Sequence, residues 1–255
     1  MVGLDTALPR GERWTALAGL AAVVALAWLY LWHIAAGMDS AAMATGSMAR
    51  AADPVALAFT FVMWSVMMAG MMLPSAAPAI LLYAAMVRKN RARGTALPAL
   101  WTFAGAYLLV WAGFSAAATL LQALLEEASL MTPTMTLASA RLGALGLLAA
   151  GLYQFTPLKQ SCLRKCRNPV QFFVTRWRTG PGSAFRMGLE HGAYCLGCCW
   201  VLMLLLFVTG VMNLAWVALI AAFVFAEKLL SSGRLVSYTA GTLLVLTGTW
   251  ALAGL

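Results

Sequence analysis

The residues best suited to chemistry are one histidine and three cysteines within residues 190–200, EHGAYCLGCCW. On an α-helix each residue turns by about 100°, so His191, Cys195 and Cys198 share one face and Cys199 lies just beside it. One imidazole and two or three thiols on a single face form half of a metal site. Soft thiolates prefer Cu(I), Zn²⁺ or an iron–sulfur cluster. The competing explanation is that each cysteine is a small packing residue of a membrane helix.

A second pair of thiols, Cys162 and Cys166, precedes this stretch in a basic loop. Their spacing of four residues places them on one face if the loop is helical. The neighbours Arg164, Lys165 and Arg167 are expected to lower the pKa of both thiols and favour the thiolate. Because the loop joins two consecutive spans, we expect this pair to lie beside the cysteines of the histidine–cysteine stretch.

Methionine supplies a different kind of soft ligand. Met63, Met67 and Met71 share one face of the second apolar segment at helical spacing. Further methionines recur every five residues in the preceding polar loop, at Met38, Met43 and Met48. Thioethers suit Cu(I) and need no deprotonation, so these residues are a candidate route for the ion. Core packing is the competing explanation for the helical face.

Two glutamates lie near the ends of apolar segments. In one interpretation Glu190 pairs with Arg186 and Glu227 pairs with Lys228. In the other, both glutamates orient the metal ligands by hydrogen bonding to them without binding the metal. The sequence leaves both alternatives open.

The elements that must position these residues are membrane helices. Of the 255 residues, 63% are hydrophobic and 10% are charged, whereas soluble domains carry about 25% charged residues. A span needs roughly 20 apolar residues, which predicts seven spans. They cover residues 14–36, 55–87, 97–125, 139–155, 184–211, 213–225 and 235–255. The expected fold class is all-α, a polytopic transmembrane helical bundle that forms a single domain over residues 1–255.

The net charge of +9 is explained by topology and does not require nucleic-acid binding. With the N-terminus in the cytoplasm, every Lys and Arg except Arg50 and Arg141 falls on the cytoplasmic side, as the positive-inside rule requires. The basic loop 157–183 is then cytoplasmic, and its thiols stay reduced. We expect the protein to lie in the inner membrane of a bacterium.

The second span is too long for a straight crossing, and it contains Pro74 and Pro78. Proline removes a backbone donor and clashes with the preceding turn. We therefore predict one long helix that is broken within its Met/Pro segment, in the manner of helices that line a cavity; a helix that is only kinked and tilted is the competing explanation.

Three strings carry a family resemblance: MWSVMMAGMMLPSAAP at residues 63–78, CLRKCRNP at residues 162–169 and HGAYCLGCCW at residues 191–200. Together they resemble a bacterial family of predicted metal-binding integral membrane proteins, a domain of unknown function. The resemblance implies that the metal is bound by Cys162, Cys166, His191, Cys195, Cys198 and Cys199.

The function expected from the sequence is the handling or transport of a soft transition metal across the membrane, with Cu(I) favoured and Zn²⁺ as the alternative. Two other interpretations stay open: a membrane thiol-redox or electron-transfer protein, and a scaffold subunit with a structural zinc site. The sequence contains no nucleotide-binding or hydrolase motif, so no catalytic residue is assigned. The expected partners are the lipid bilayer, the metal ion, and a metal chaperone or partner membrane subunit.

Overall fold

The computed structural model describes residues 9–41, 53–90, 96–132, 135–180, 182–230 and 232–254. Within these ranges the chain forms helices and no strand, which confirms the all-α prediction. The helices are α1 (Arg10–Ala41), α2 (Pro54–Asn90), α3 (Leu97–Glu127), α4 (Ala140–Gln154), α5 (Pro157–Arg167), α6 (Pro169–Arg176), α7 (Ser183–Leu204), α8 (Leu206–Thr209), α9 (Leu214–Leu229) and α10 (Gly233–Ala253).

Five helical segments of the described chain are long and apolar enough to cross a membrane: α1, α2, α3, α7 together with α8, and α10. The predicted fourth and sixth spans correspond to α4 and α9, which have 15 and 16 residues. At 1.5 Å per residue these helices reach about 24 Å at most, less than the ~30 Å of a hydrocarbon core. The expected total of seven spans therefore stays a prediction.

Helix α2 runs through Pro74 and Pro78 without interruption, so the predicted break is wrong. The helix continues because α1, α3 and α9 pack against it, and neighbouring helices are what allow proline within membrane helices. Near the first proline, Ser75 and Tyr107 both donate to the carbonyl of Met72, at 2.9 and 3.3 Å.

Helices α3 and α7 pack closely because α7 carries glycines four residues apart. A methyl group at Gly192 would lie 2.9 Å from Val110, and one at Gly188 would overlap the carbonyl of Phe103. Small residues at this spacing let two helix backbones approach each other. The contact places Tyr107 of α3 beside the part of α7 that carries the cysteines.

The basic loop 157–183 contains two short helices, α5 and α6, and α5 packs on α7. The side chain of Thr156 caps α5 by accepting a hydrogen bond from the backbone N–H of Lys159, and a proline occupies its first position. Lys165 donates to the hydroxyl of Tyr194 at 2.7 Å. These contacts hold the cysteine face of α5 against α7.

Candidate metal centre

The first half of the candidate site is the face of α5 that carries two cysteines. Cys162 is buried against α7, and a methyl group at Gly197 would lie only 2.8 Å from its sulfur. Cys166 follows four residues later on α5 and is half-buried. The structure thus brings the two predicted thiol groups together, through α5 and α7.

The second half is the cysteine face of α7. Cys198 and Cys199 are fully buried, and their thiols donate to the carbonyl of Cys195 at 3.0 and 3.1 Å. All five cysteines lie within the described residues and are free thiols. As the described side chains stand, no group of three or more His, Cys, Asp or Glu residues is arranged to hold a metal ion.

The sulfur of Cys195 is the centre of a polar network inside the protein. The ammonium group of Lys228 on α9 donates to this sulfur at 2.9 Å and to the hydroxyl of Ser75 at 3.0 Å. The hydroxyl of Tyr107 lies 3.0 Å from the same sulfur. Cys195 is 1% exposed and Lys228 is 7% exposed. A cation and a hydroxyl at hydrogen-bond distance stabilise a thiolate at this position.

His191 lies one helical turn before Cys195 and is also buried. The rings of Phe172, Phe103 and Tyr107 face its imidazole, with centroids 5.4, 5.9 and 6.0 Å away. Within the described residues its Nδ1 atom has no hydrogen-bond partner. A buried nitrogen without a partner carries a desolvation cost that a ligand would remove, so this atom fits a role as a metal ligand.

The expectation that basic neighbours lower the pKa of the α5 thiols is wrong. Burial raises the pKa of Cys162 above its ordinary value, and this effect exceeds the opposing influence of the nearby lysine. The pKa of Cys166 is also raised, first by hydrogen bonding with Cys195, then with Cys198, and then by burial.

The expected pairing of Glu227 with Lys228 is also wrong. Glu227 forms an ion pair with Lys159 at 2.7 Å, and Ser237 donates to the same carboxylate. This arrangement leaves Lys228 to contact Cys195, because consecutive residues of a helix point in different directions. Glu227 thus lies beside the thiol network without pairing with its cation.

Glu190 is paired with arginines of the segment that leads into α7. Its carboxylate accepts from Arg178 at 2.7 Å and lies 4.0 Å from Arg176. The expected pairing with Arg186 is therefore wrong. This ion pair lies at the partly exposed start of α7, where its electrostatic contribution is small.

The methionines of α2 are deeply buried. Met63, Met67 and Met71 are each at most 2% exposed and belong to the central core. Tyr107 connects this segment to the thiols, since its hydroxyl bonds the carbonyl of Met72 and lies beside the sulfur of Cys195. Of the predicted outer methionines, Met43, Met48 and the side chain of Met38 lie outside the described residues.

A comparison with protein families identifies the family of this chain. The sequence model of the PpoB2 family, described as a copper chaperone, matches residues 61–251. The chain belongs to the PpoB2 family. No curated protein and no solved structure matches the chain.

The segment matched by the PpoB2 model contains the whole candidate centre. It extends from within α2 to within α10, and so it includes all five cysteines, His191 and Lys228. The donor set of this PpoB2 chain fits the metal named in the family description, because thiol and imidazole are ligands that Cu(I) accepts.

Two residues of the PpoB2 centre were missed by reasoning from sequence. Tyr107 had no distinguishing spacing among the apolar residues of its helix. Lys228 was considered for the positive-inside bias and as a partner of Glu227, but not as a contact of a cysteine. The available signal was that a lysine follows directly on an apolar segment, where an ionisable residue is costly unless it has a role.

Proposed function

We propose that this PpoB2-family chain is an integral membrane copper chaperone that binds Cu(I) as cargo where α5 meets α7. The proposed ligands are the thiols and imidazole named from the sequence: Cys162, Cys166, His191, Cys195, Cys198 and Cys199. The observation that carries the proposal is the packing of Cys162 of α5 against Gly197 of α7, a residue between Cys195 and Cys198, which makes the two helices that carry the thiols adjacent.

The local chemistry supports capture of a soft ion. Cys195 already has a cation and a hydroxyl beside its sulfur, so its thiolate can exist inside the protein. Cys198 and Cys199 make only weak S–H hydrogen bonds to a carbonyl, and exchanging these for bonds to copper costs little. Binding then releases protons from the thiols that ligate the ion.

The proposed route to this centre follows the methionines. Met63, Met67 and Met71 would pass the ion along the buried face of α2. The ion would first be collected at the outer end by Met38, Met43 and Met48. The contact of Tyr107 with both the Met72 carbonyl and the Cys195 sulfur supports this route, because it joins the end of the methionine segment to the thiols.

The proposed membrane arrangement has seven spans, a cytoplasmic N-terminus and a bacterial inner membrane as its location. The ion pair of Glu12 with Arg88 supports part of it, because this 2.7 Å contact joins the start of α1 to the end of α2. These two ends then share one side of the membrane, and both are basic. The recipient of the copper would be a metal chaperone or a partner membrane subunit on either side.

The experiment that tests the proposal measures metal content and Cu(I) affinity of protein purified anaerobically without chelator. The variants are Cys162→Ser/Cys166→Ser, Cys195→Ser/Cys198→Ser and the quadruple combination. Thr175→Ala is the control, because its exposed hydroxyl bonds only within α6.

If both helices serve one ion, each double variant should lose most of the affinity. The quadruple variant should then lose less than the sum of the two changes in free energy. Purified protein without copper, or four substitutions that leave copper binding intact, would refute the proposal. Additive losses with one ion kept by each half would show two separate sites in place of one.

A further inference from the structure

A carboxylate and a thioether meet at one buried amide near the end of α3, away from the thiols. Gln122 is 2% exposed, and its side-chain oxygen accepts from the indole N–H of Trp64 at 2.8 Å. This bond fixes the direction of the amide, so its NH₂ group faces the other way. The NH₂ group donates to the carboxylate of Glu126 at 2.8 Å and to the sulfur of Met135 at 3.8 Å. Neither of these two residues belongs to the proposed thiol centre.

The backbone holds Met135 in a conformation that methionine rarely adopts. Its φ is 56°, in the left-handed region. Its N–H donates to the carbonyl of Thr132 at 2.9 Å, and its carbonyl accepts from the N–H of Val211 at 3.3 Å. Residues strained in this way cluster at active sites and ligand clamps. The turn thus brings a soft ligand to the amide that Glu126 already contacts.

We propose that Met135 and Glu126 form a second Cu(I) site, at the end of α2 where the methionine route begins. This inference rests on the proposed function, because the ion is the same cargo. The NH₂ group of Gln122 holds both ligands at one place through its two N–H bonds, and each ligand keeps lone pairs for an ion. The thioether favours a soft ion, and the carboxylate supplies a charged oxygen that attracts a cation.

The position of Trp64 joins this site to the methionine route. Trp64 follows Met63 directly in the chain, and both side chains are buried in the core. An ion that leaves Met135 would therefore meet the first thioether of α2 next to the indole that orients Gln122.

A buried polar face of α3 extends from this site toward the sulfur of Cys195. It consists of side chains spaced four residues apart, each at most 4% exposed: Tyr107, Trp111, Ser115 and Thr119. The hydroxyls of Ser115 and Thr119 donate to carbonyls of their own helix, so their lone pairs stay available. Within the described residues the indole N–H of Trp111 has no hydrogen-bond partner. Because buried polar groups in membrane helices are costly and mark ion pathways, this face supports passage of an ion between the two sites.

The test counts the Cu(I) ions bound by the full-length protein, purified in detergent without oxygen. Cu(I) is titrated in competition with a chromogenic chelator of known affinity. Met135→Leu removes the thioether and keeps the volume, and Glu126→Gln removes the charge and keeps the shape. The matched controls are Met86→Leu, at the other end of α2, and Glu127→Gln, an exposed carboxylate next to Glu126.

Native protein should bind Cu(I) in two steps, a tight one at the thiols and a weaker one at this site. Met135→Leu should weaken the second step by about tenfold or more, because even a group that only orients a metal ligand contributes that much. Glu126→Gln should act in the same direction, and it keeps the test available if Met135→Leu does not fold. Both variants should keep the tight step, and both controls should bind as the native protein does.

The ligands of the second ion can be observed in the Cys195→Ser/Cys198→Ser protein, which should keep the weaker step. X-ray absorption at the copper edge should show sulfur together with oxygen neighbours. Sulfur neighbours alone would assign the ion to the remaining thiols and overturn the inference.

A single step in the native protein, a second step that neither variant weakens, or one that the controls weaken equally would also overturn the inference and leave the proposed function intact. Native protein in which no step depends on Cys195 and Cys198 would instead overturn the proposed function. The two failures are therefore distinguishable in one series of measurements.

Discussion

Lys159 and Glu227 form an ion pair in which both side chains are fully buried, with the Nζ and Oε1 atoms 2.7 Å apart. The pair joins α5, which carries two of the cysteines, to the last turn of α9. Ser237 of α10 donates to the same carboxylate, so three helices meet at this point. The residue that follows Glu227 is Lys228, and the ion pair thereby fixes the cation that contacts Cys195.

Glu227→Gln should destabilise the protein by about 3 kcal/mol, because it leaves the ammonium group of Lys159 buried without a counter-charge. The double variant Lys159→Met/Glu227→Gln should recover much of that loss, since neither charge then remains. Unfolding of the detergent-solubilised protein would be followed by denaturant or heat. Strictly additive losses in the double variant would show that the two residues act independently.

Gly197→Ala should separate α5 from α7 at the thiols. Its new methyl group would lie 2.8 Å from the sulfur of Cys162, closer than carbon and sulfur atoms can pack. We expect Cu(I) affinity to fall at least several-fold while the amount of folded protein is maintained. Gly105→Ala is the control, because a methyl group there meets nothing within 4 Å. An affinity as high as that of the native protein would show that the contact of Cys162 with α7 is not needed for binding.

Replacing Met63, Met67 and Met71 together by leucine should abolish copper handling in cells, because the thioethers are removed while the volume is kept. Each single change should cost less than about 1.5 kcal/mol of stability. The readout is cellular copper content at equal protein level. Met187→Leu/Met203→Leu, which changes buried methionines of α7, should behave as the native protein. Normal copper handling by the triple variant would assign the α2 methionines to packing alone.

The topology can be tested with reporter cysteines and a maleimide that does not cross membranes. Thr179→Cys places a reporter in the exposed segment before α7, and Ala128→Cys places one just after α3. In intact cells Ala128→Cys should react and Thr179→Cys should react only after permeabilisation, because basic segments stay in the cytoplasm. The native protein supplies the baseline. The opposite pattern of labelling would reverse the proposed orientation.

The all-α class could be predicted from composition, because few backbone structures are stable inside a lipid bilayer. A backbone in hydrocarbon must satisfy its own hydrogen bonds, and an apolar run of sufficient length therefore forms a helix. The packing of the cysteine helix α5 against α7 could also be predicted, since a loop that joins two consecutive spans lies beside them.

The contacts of charged residues could not be predicted in the same way. Glu227 was expected to bond a basic residue close to it along the chain, but its partner Lys159 comes from another helix. The direction of a side chain within a bundle depends on how the helices rotate against each other, and hydropathy contains no information on that rotation. The same limit applies to Pro74, where the packing of neighbouring helices keeps α2 continuous.

The shortness of α9 makes the surrounding lipid part of the centre's environment. In the proposed arrangement of seven spans, α9 with its 16 residues would cover about 24 Å, and a bilayer of ordinary thickness would meet it with a hydrophobic mismatch. In that arrangement the membrane would become thinner beside α9, or the helix would move along the membrane normal. Because Lys228 lies in the last turn of α9, a change in the length of the lipid tails would then act on the cation beside Cys195.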